Sequence, residues 1–188
     1  MAKKLMAVTT GVGKTRQIIE VKDRILSKPN KAVLVTVETK EQAAPYEAAG
    51  FAMYHGRSED EESIAYCFRY NVIRELGGNN QSISEYCKTC SHGMKARIQL
   101  SNDADEKDFL TERLRIRGIH GFELEKLKPC AAIIHQHEIS RQPAVVACHQ
   151  AMSNDLIHYQ MDENHDQVRR MIFVDEGFTK ARHIRINR

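Results

Sequence analysis

A glycine-rich segment near the start of the chain has the residue types of a phosphate-binding loop. It reads Thr10-Gly11-Val12-Gly13-Lys14-Thr15 and lies between a short apolar run and a segment of helical spacing. Glycines let backbone N–H groups point at phosphate oxygens, and the helix start adds the positive end of its dipole. In such a loop Lys14 reaches the β- and γ-phosphates, and Thr15 ligates magnesium. We therefore expect all six residues to bind ATP with Mg2+. The alternative is a glycine-rich turn that contains Gly-Lys-Thr by chance.

A pair of carboxylates, Asp175 and Glu176, follows the last apolar run, Met171-Ile172-Phe173-Val174. Four apolar residues predict a buried strand, and ligands bind at the carboxyl ends of strands in open α/β sheets. Asp175 would position the magnesium of a bound nucleotide, and Glu176 would polarise the attacking water. We therefore expect Lys14, Asp175 and Glu176 to be catalytic. The alternative is a strand followed by an acidic turn.

Cysteines supply a third group of chemically competent residues. Cys87-Lys88-Thr89-Cys90 is a chelating pair, because two thiolates three positions apart on a turn can hold one metal or one edge of a cluster. Cys67 lies upstream and Cys130 downstream. These thiols could hold iron–sulfur or zinc, with His92 able to replace one of them, or they could be buried core residues. Cys148 predicts a buried core thiol.

Two neighbouring histidines in the same region, His135 and His137, precede Glu138. They are two positions apart, so they diverge on a helix. We expect both to be solvated.

The order of apolar runs predicts the architecture that positions these groups. Residues 1–54 alternate strand, helix, strand, helix, which indicates a parallel sheet. Residues 55–142 are polar and charged and hold four of the five cysteines, which predicts a mainly helical insert. From residue 143 the buried-strand signal returns in Ala144–Cys148 and Met171–Val174. The expected fold is therefore an α/β sheet interrupted by a cysteine-bearing insert.

Composition narrows the functional class. The chain has 188 residues, 41% hydrophobic and 28% charged, with a formal net charge of +3. No run approaches the roughly 20 apolar residues that cross a bilayer, and no signal-peptide core precedes a cleavage site. We expect a cytoplasmic protein without a membrane partner. In that reducing compartment cysteines favour metal sites or core positions over disulfides.

Several of these segments resemble motifs of superfamily 2 helicases. Val8 to Thr15 resembles motif I, with Val8 where Ala is usual. Asp175-Glu176-Gly177-Phe178 is similar to the Asp-Glu-Ala-His box, with Gly177 and Phe178 in the last two places. Val35 to Gln42 looks like motif Ia, where Thr39 and Lys40 match the positions that touch the nucleic-acid backbone; the alternative for them is an ordinary helix cap. Ala144 to Met152 resembles a segment of XPD/DinG-type helicases, with His149 at the family's His and Cys148 replacing Asn.

The XPD/DinG resemblance implies a specific set of ligands and partners. One Cys, a Cys-x-x-Cys pair and a distant Cys between motifs Ia and II form that family's iron–sulfur domain, so the ligands would be Cys67, Cys87, Cys90 and Cys130. The resemblance implies a partial RecA-like domain that couples ATP hydrolysis to movement on single-stranded DNA. The cluster, a 4Fe-4S centre or alternatively Zn2+, would be structural.

That family uses two RecA-like motor domains. The resemblance therefore implies that this chain is the N-terminal part of a helicase, working with a second domain in cis or in trans, and that it hydrolyses ATP slowly or not at all alone. Two other functions remain open: a nucleotide-dependent switch, and a zinc-stabilised nucleic-acid binding module.

Overall fold

The computed structural model describes residues 13–79, 81–151, 154–160 and 167–175. The chain divides into two compact units, 1–54 with 140–188, and 55–139. The strands in the described residues are β1 (Val33–Val37), β2 (Ala52–Tyr54), β3 (Ala144–Cys148), β4 (His158–Gln160), β5 (Gln167–Arg169) and β6 (Met171–Val174). The helices there are α1 (Lys14–Leu26), α2 (Lys40–Ala48), α3 (Tyr70–Gly78), α4 (Ile83–Thr89), α5 (Ser91–Leu100), α6 (Ala104–Ile116), α7 (Phe122–Lys126) and α8 (Ala131–Ser140). The predicted opening strand, Leu5–Val8, lies outside the described residues.

A four-stranded parallel sheet forms the centre of the first unit, in the order β2-β3-β1-β6. All five residues of β1 are buried, since this strand pairs with β3 on one side and β6 on the other. Parallel strands that are covered on both faces consist of continuous apolar runs, which is the pattern of β1 and β3. The prediction of an α/β fold with a parallel sheet is thus confirmed.

Strand β6 is present where the sequence predicts it, but the expectation that it is buried is wrong. Met171, Ile172 and Val174 are 47%, 38% and 44% exposed. Among the described strands β6 pairs with β1 alone, so only one of its edges is covered by the sheet. Its carboxyl end still joins the sheet firmly, because the Asp175 N–H donates to the carbonyl of Thr36 at 2.9 Å.

Two helices pack on this sheet and fix its loops. α2 begins with a capping box in which the Thr39 hydroxyl accepts from the Gln42 N–H, while the Gln42 side chain accepts from the Thr39 N–H. Such reciprocal bonds satisfy the first donors of a helix. The shared core of the helices and sheet contains Ile25 of α1, Ala43 and Tyr46 of α2, and residues of β1, β2 and β3.

A buried arginine links the later strands to the end of α8. Arg170 is 3% exposed, and its guanidinium donates to the carbonyls of Ser140 at 3.1 Å and Gln142 at 2.5 Å. Burial lowers its pKa to about 10, and its guanidinium carbon lies 5.4 Å from the centre of the Tyr159 ring. Arg170 therefore fixes the chain between β5 and β6, immediately before the strand that leads to Asp175.

The second unit is helical in its described part and is organised around two small cores. The first core contains three cysteines, Cys67, Cys87 and Cys130, together with Ala65, Ile73, Ala96 and Ala132. The second core contains Met94, Leu110 and Leu114. α5 contributes to both cores. Among the described residues of the whole chain, no helix has the length and apolarity that a bilayer crossing requires.

Candidate nucleotide site and cysteine cluster

The start of α1 supplies the described half of the phosphate loop. Gly13 has φ +71°, a left-handed conformation that favours glycine, and it directly precedes the first helical residue. Lys14 and Thr15 form the first turn and are half-buried. The first N–H groups of a helix have no partner within the helix, so they are available to an anion. This end of α1 therefore has the local geometry that a phosphate requires.

Thr15 and Asp175 meet although 160 positions separate them. The Thr15 hydroxyl donates to Oδ2 of Asp175 at 2.7 Å. Asp175 follows the last residue of β6 and is only 6% exposed. The two sequence motifs thus join at one point, the carboxyl edge of the sheet. Hydroxyl and carboxylate oxygens are the ligands that Mg2+ prefers.

A third side chain completes the surroundings of Asp175. The hydroxyl of Tyr46, which is fully buried, also donates to Oδ2 of Asp175. Oδ1 is buried as well and has no hydrogen-bond partner among the described residues. Because buried polar atoms normally have partners, an orphaned carboxylate oxygen calls for an explanation such as an ion. The sequence prediction did not include Tyr46; its one local signal is the spacing of Ala43 and Tyr46, which indicates only a buried helix face.

Some predicted site residues cannot be placed. Thr10, Gly11 and Val12 of the loop and Glu176 of the acidic pair lie outside the described residues, as do Gly177 and Phe178. Their roles stay predictions.

The residues predicted to touch DNA, Thr39 and Lys40, lie at the start of α2 and are exposed. The Thr39 side chain caps the helix, which is the alternative that the sequence left open. Lys40 is the first residue of α2, three positions after Val37, which is the last residue of β1. The geometry is compatible with both roles for Thr39, since a cap needs one oxygen of a residue that faces solvent.

The four predicted cysteine ligands lie in the second unit, where Cys67, Cys87 and Cys130 share one core and Cys90 follows at the end of α4. Cys87 lies in α4, and Cys90 is both the C-cap of α4 and the N-cap of α5. The thiols of Cys67 and Cys130 hydrogen-bond to each other, and electrostatic interactions with Cys67 and Cys90 raise the pKa of Cys87. Cys67, Cys87 and Cys130 are buried, and Cys90 is half-buried. We refer to these four residues as the cysteine cluster.

The electrostatics of the cysteine cluster differ between its members. In the coupled pair, the hydrogen bond lowers the pKa of Cys67 and raises that of Cys130, so one proton leaves readily and the other is retained. Burial raises the pKa of Cys87, and the nearby Arg57 guanidinium opposes this effect. Nη2 of Arg57 donates to the Cys87 sulfur at 3.5 Å. Arg57 is a neighbour of the cysteine cluster that no sequence signal indicated.

The cysteine cluster does not have the geometry of a finished single-ion site. Within the described ranges, no group of three or more His, Cys, Asp or Glu side chains is arranged to hold a metal ion. His92, the alternative ligand, uses its Nδ1 in a 2.7 Å contact with the Lys128 carbonyl, and its ring stacks on Phe68 with centroids 4.0 Å apart.

One histidine differs from the expectation. His135, predicted to be solvated, is 4% exposed, and its Nε2 accepts from the His55 N–H at 3.0 Å. It shares a face of α8 with Ala132 and Ile139, both buried, and this spacing was the signal that could have found it. Burial lowers its pKa to about 4, so it is neutral at pH 7.

The remaining predicted residues lie at the end of β3. Cys148, which was expected to be buried, is half-buried and packs against the edge of the core, and burial raises its pKa. His149 opens a short 3-10 turn.

Comparisons of the chain with protein-family models, with curated proteins and with solved structures give no match. The functional argument therefore depends on the geometry of the site and on the motifs.

Proposed function

We propose that the chain is the ATP-binding motor domain of a DNA helicase, with a RecA-like sheet, and that it couples ATP hydrolysis to movement on single-stranded DNA. The observation that carries this proposal is the hydrogen bond between Thr15 and Asp175. A threonine after a Gly-Lys pair and an aspartate at the carboxyl end of a strand are the two protein groups that hold magnesium in P-loop nucleotidases.

The residues present fit a magnesium ion. Oδ1 of Asp175 is buried and has no hydrogen-bond partner among the described residues, and the Thr15 hydroxyl donates to Oδ2 of the same carboxylate. The first turn of α1 carries the cations Lys14 and Arg16 and no acidic residue. Cations at a helix N-terminus interact unfavourably with the positive end of the helix dipole, and the negative charge of a bound phosphate would offset this effect. Magnesium would neutralise charge on the transferred phosphoryl group.

Each side chain then has a defined role. Lys14 binds the terminal phosphates, Thr15 and Asp175 hold the ion, and Glu176 orients the attacking water. An arginine from a second motor domain would stabilise the charge that develops in the transition state. Thr39 and Lys40, which follow the carboxyl end of β1, would contact the DNA backbone.

The cysteine cluster, by this proposal, holds a structural iron–sulfur centre. Support comes from the shared core of Cys67, Cys87 and Cys130, from Cys90 at the end of the helix that carries Cys87, and from Arg57, which donates to the Cys87 sulfur. Such a centre would stabilise a unit whose apolar cores are small, since coordination can provide folding free energy. Anaerobically prepared protein should contain iron and absorb broadly in the visible. Serine at any of the four positions should remove the iron, whereas Cys148→Ser should not. One zinc per chain would overturn the iron assignment, and metal-free folded protein would overturn the site.

Nucleotide binding is the decisive test of the first unit. Titration of the protein with ATP and Mg2+ by calorimetry should give one site. Lys14→Ala should weaken affinity at least about tenfold, since a hydrogen bond to a charged group contributes about 1.5–3 kcal/mol. Lys28→Ala, which removes an exposed lysine just beyond α1, is the matched control and should leave affinity unchanged. Equal affinity in the two variants would contradict the site.

A second measurement separates the helicase proposal from a nucleotide-dependent switch. Steady-state ATP hydrolysis is compared with and without single-stranded DNA, with the second motor domain present. Stimulation by DNA is the expected result. Tight nucleotide binding without any effect of DNA would favour the switch.

A further inference from the structure

The inference concerns Tyr46, a residue outside the predicted motifs, and it rests on the proposed function. Tyr46 lies in α2 and is fully buried. Its ring packs edge-on against Phe51, with centroids 5.4 Å apart and an interplanar angle of 80°. Its hydroxyl donates to Oδ2 of Asp175, 129 positions away. A buried aromatic ring alone would fill this space, so the hydroxyl has a separate purpose.

The two hydrogen bonds to Asp175 are unequally distributed over its oxygens. Thr15 and Tyr46 both donate to Oδ2, and Oδ1 accepts from no described residue. An ionised carboxylate oxygen has about two lone-pair sites, so two donors fill Oδ2. A cation therefore finds its free contact at Oδ1. In metal sites, hydrogen bonds from residues that do not touch the metal orient the side chains that do, and so strengthen metal binding.

We propose that Tyr46 is a positioning residue for the magnesium site: it holds Asp175 through Oδ2 and leaves Oδ1 for the cation. The rigid environment of Tyr46 makes this effective. Its ring is held by Phe51, and α2 packs on the sheet through Ala43 and Tyr46. Aromatic pairs in this edge-on arrangement are favourable beyond the area they bury. The carboxylate is thus fixed before the ion arrives.

The test is the magnesium dependence of nucleotide binding in Tyr46→Phe, which removes one oxygen and keeps the ring. Binding of a fluorescent ADP analogue is measured in EDTA and at increasing Mg2+. Affinity in EDTA should match the wild type within about twofold. The Mg2+ concentration that gives half of the enhancement should rise about tenfold, the size expected for a lost hydrogen bond to a charged group.

Two further variants separate positioning from packing. Tyr159→Phe removes a hydroxyl elsewhere in the same unit and should keep the wild-type Mg2+ dependence. Phe51→Leu disturbs the ring contact but keeps the Tyr46 hydroxyl, so it should raise the half-maximal Mg2+ concentration by less than Tyr46→Phe does. Wild-type protein that binds no nucleotide would overturn the proposed function and this inference together. Wild-type binding with an unchanged Mg2+ dependence in Tyr46→Phe would overturn this inference alone.

A measurement on protein with every native tyrosine position retained covers the case in which Tyr46→Phe does not fold. All six tyrosines are replaced biosynthetically by 3-fluorotyrosine, and fluorine spectra of the ADP-bound protein are recorded with and without Mg2+. Mg2+ should shift one resonance, which persists when each of the other five tyrosines is replaced in turn by phenylalanine and is thereby assigned to Tyr46. A spectrum that Mg2+ does not change would overturn the proposal.

Discussion

Gly93 is the position where the structure makes its sharpest quantitative prediction. Gly93 lies in α5, three residues after Cys90, and a Cβ added there would lie 2.5 Å from the carbonyl oxygen of Cys87 and 3.2 Å from Cδ1 of Ile133. Real Cβ atoms do not approach other heavy atoms within 3.0 Å, so the backbone must move by at least 0.5 Å. The movement would separate α4 from α5 close to Cys90, where the two helices join.

The expected magnitude of Gly93→Ala combines two opposing effects. Forcing an extra methyl group into a packed interior costs about 1–3 kcal/mol. Alanine is the better helix former by about 1 kcal/mol. The net loss in the free energy of unfolding is therefore about 0–2 kcal/mol.

A matched variant in the same unit separates these two effects. Gly78→Ala is also helical, and a Cβ there has no atom within 4 Å. It should be neutral or stabilising by up to about 1 kcal/mol. The difference between the variants then isolates the steric contact, about 1–3 kcal/mol. Urea unfolding followed by circular dichroism measures both. Gly93→Ala as stable as Gly78→Ala would refute the close approach of α5 to Cys87.

Three further predictions concern single side chains. The pKa of His135 is about 4 in the folded chain and about 6.5 in the unfolded chain. The free energy of unfolding should therefore fall by about 3 kcal/mol as the pH is lowered from 6.5 towards 4. Urea unfolding of His135→Gln, whose side chain does not titrate, should lack this part of the loss. Arg170→Met leaves two carbonyls without their donor and should lower the free energy of unfolding by about 2–4 kcal/mol. Arg169→Met, at an exposed position, should lower it by less than about 0.5 kcal/mol. Equal unfolding midpoints of the two variants would contradict this prediction. Lys40→Ala should weaken binding of single-stranded DNA and reduce the slope of the logarithm of the binding constant against the logarithm of salt concentration by about 0.7, at unchanged melting temperature. Thr39→Ser should leave the affinity and this slope unchanged. An unaltered slope in Lys40→Ala argues against this DNA contact.

The apolar strands were the most predictable part of this fold. Ala144–Cys148 and Met171–Val174 have the same bounds in the structure as in the sequence prediction. A strand buried on both faces must be apolar throughout, so the signal is local and strong. The exposure of β6 could not be predicted in this way, because it depends on which strands pair and not on the strand itself.

Side-chain environments inside the insert were less predictable. The sequence prediction placed His135 in solvent, yet this side chain is buried and accepts a hydrogen bond from the backbone N–H of His55. Arg57 has no distinguishing neighbours in sequence, and its contact with Cys87 depends on the path of the chain over 30 positions. Such contacts depend on tertiary packing, which local periodicity does not encode.

The surroundings of Asp175 show why a motif is easier to predict than its support. Thr15 is fixed by spacing, because a hydroxyl directly after the lysine is the one that can reach the ion. Tyr46 has no such constraint, since any helix that packs on the sheet could supply a donor, and phenylalanine would fill nearly the same volume. The buried hydroxyl is recognisable only through its partner, Oδ2 of Asp175. A polar atom buried inside an otherwise apolar core is costly unless it is bonded. The bond to Asp175 gives the Tyr46 hydroxyl its buried partner, and a phenylalanine of nearly the same volume could not make it.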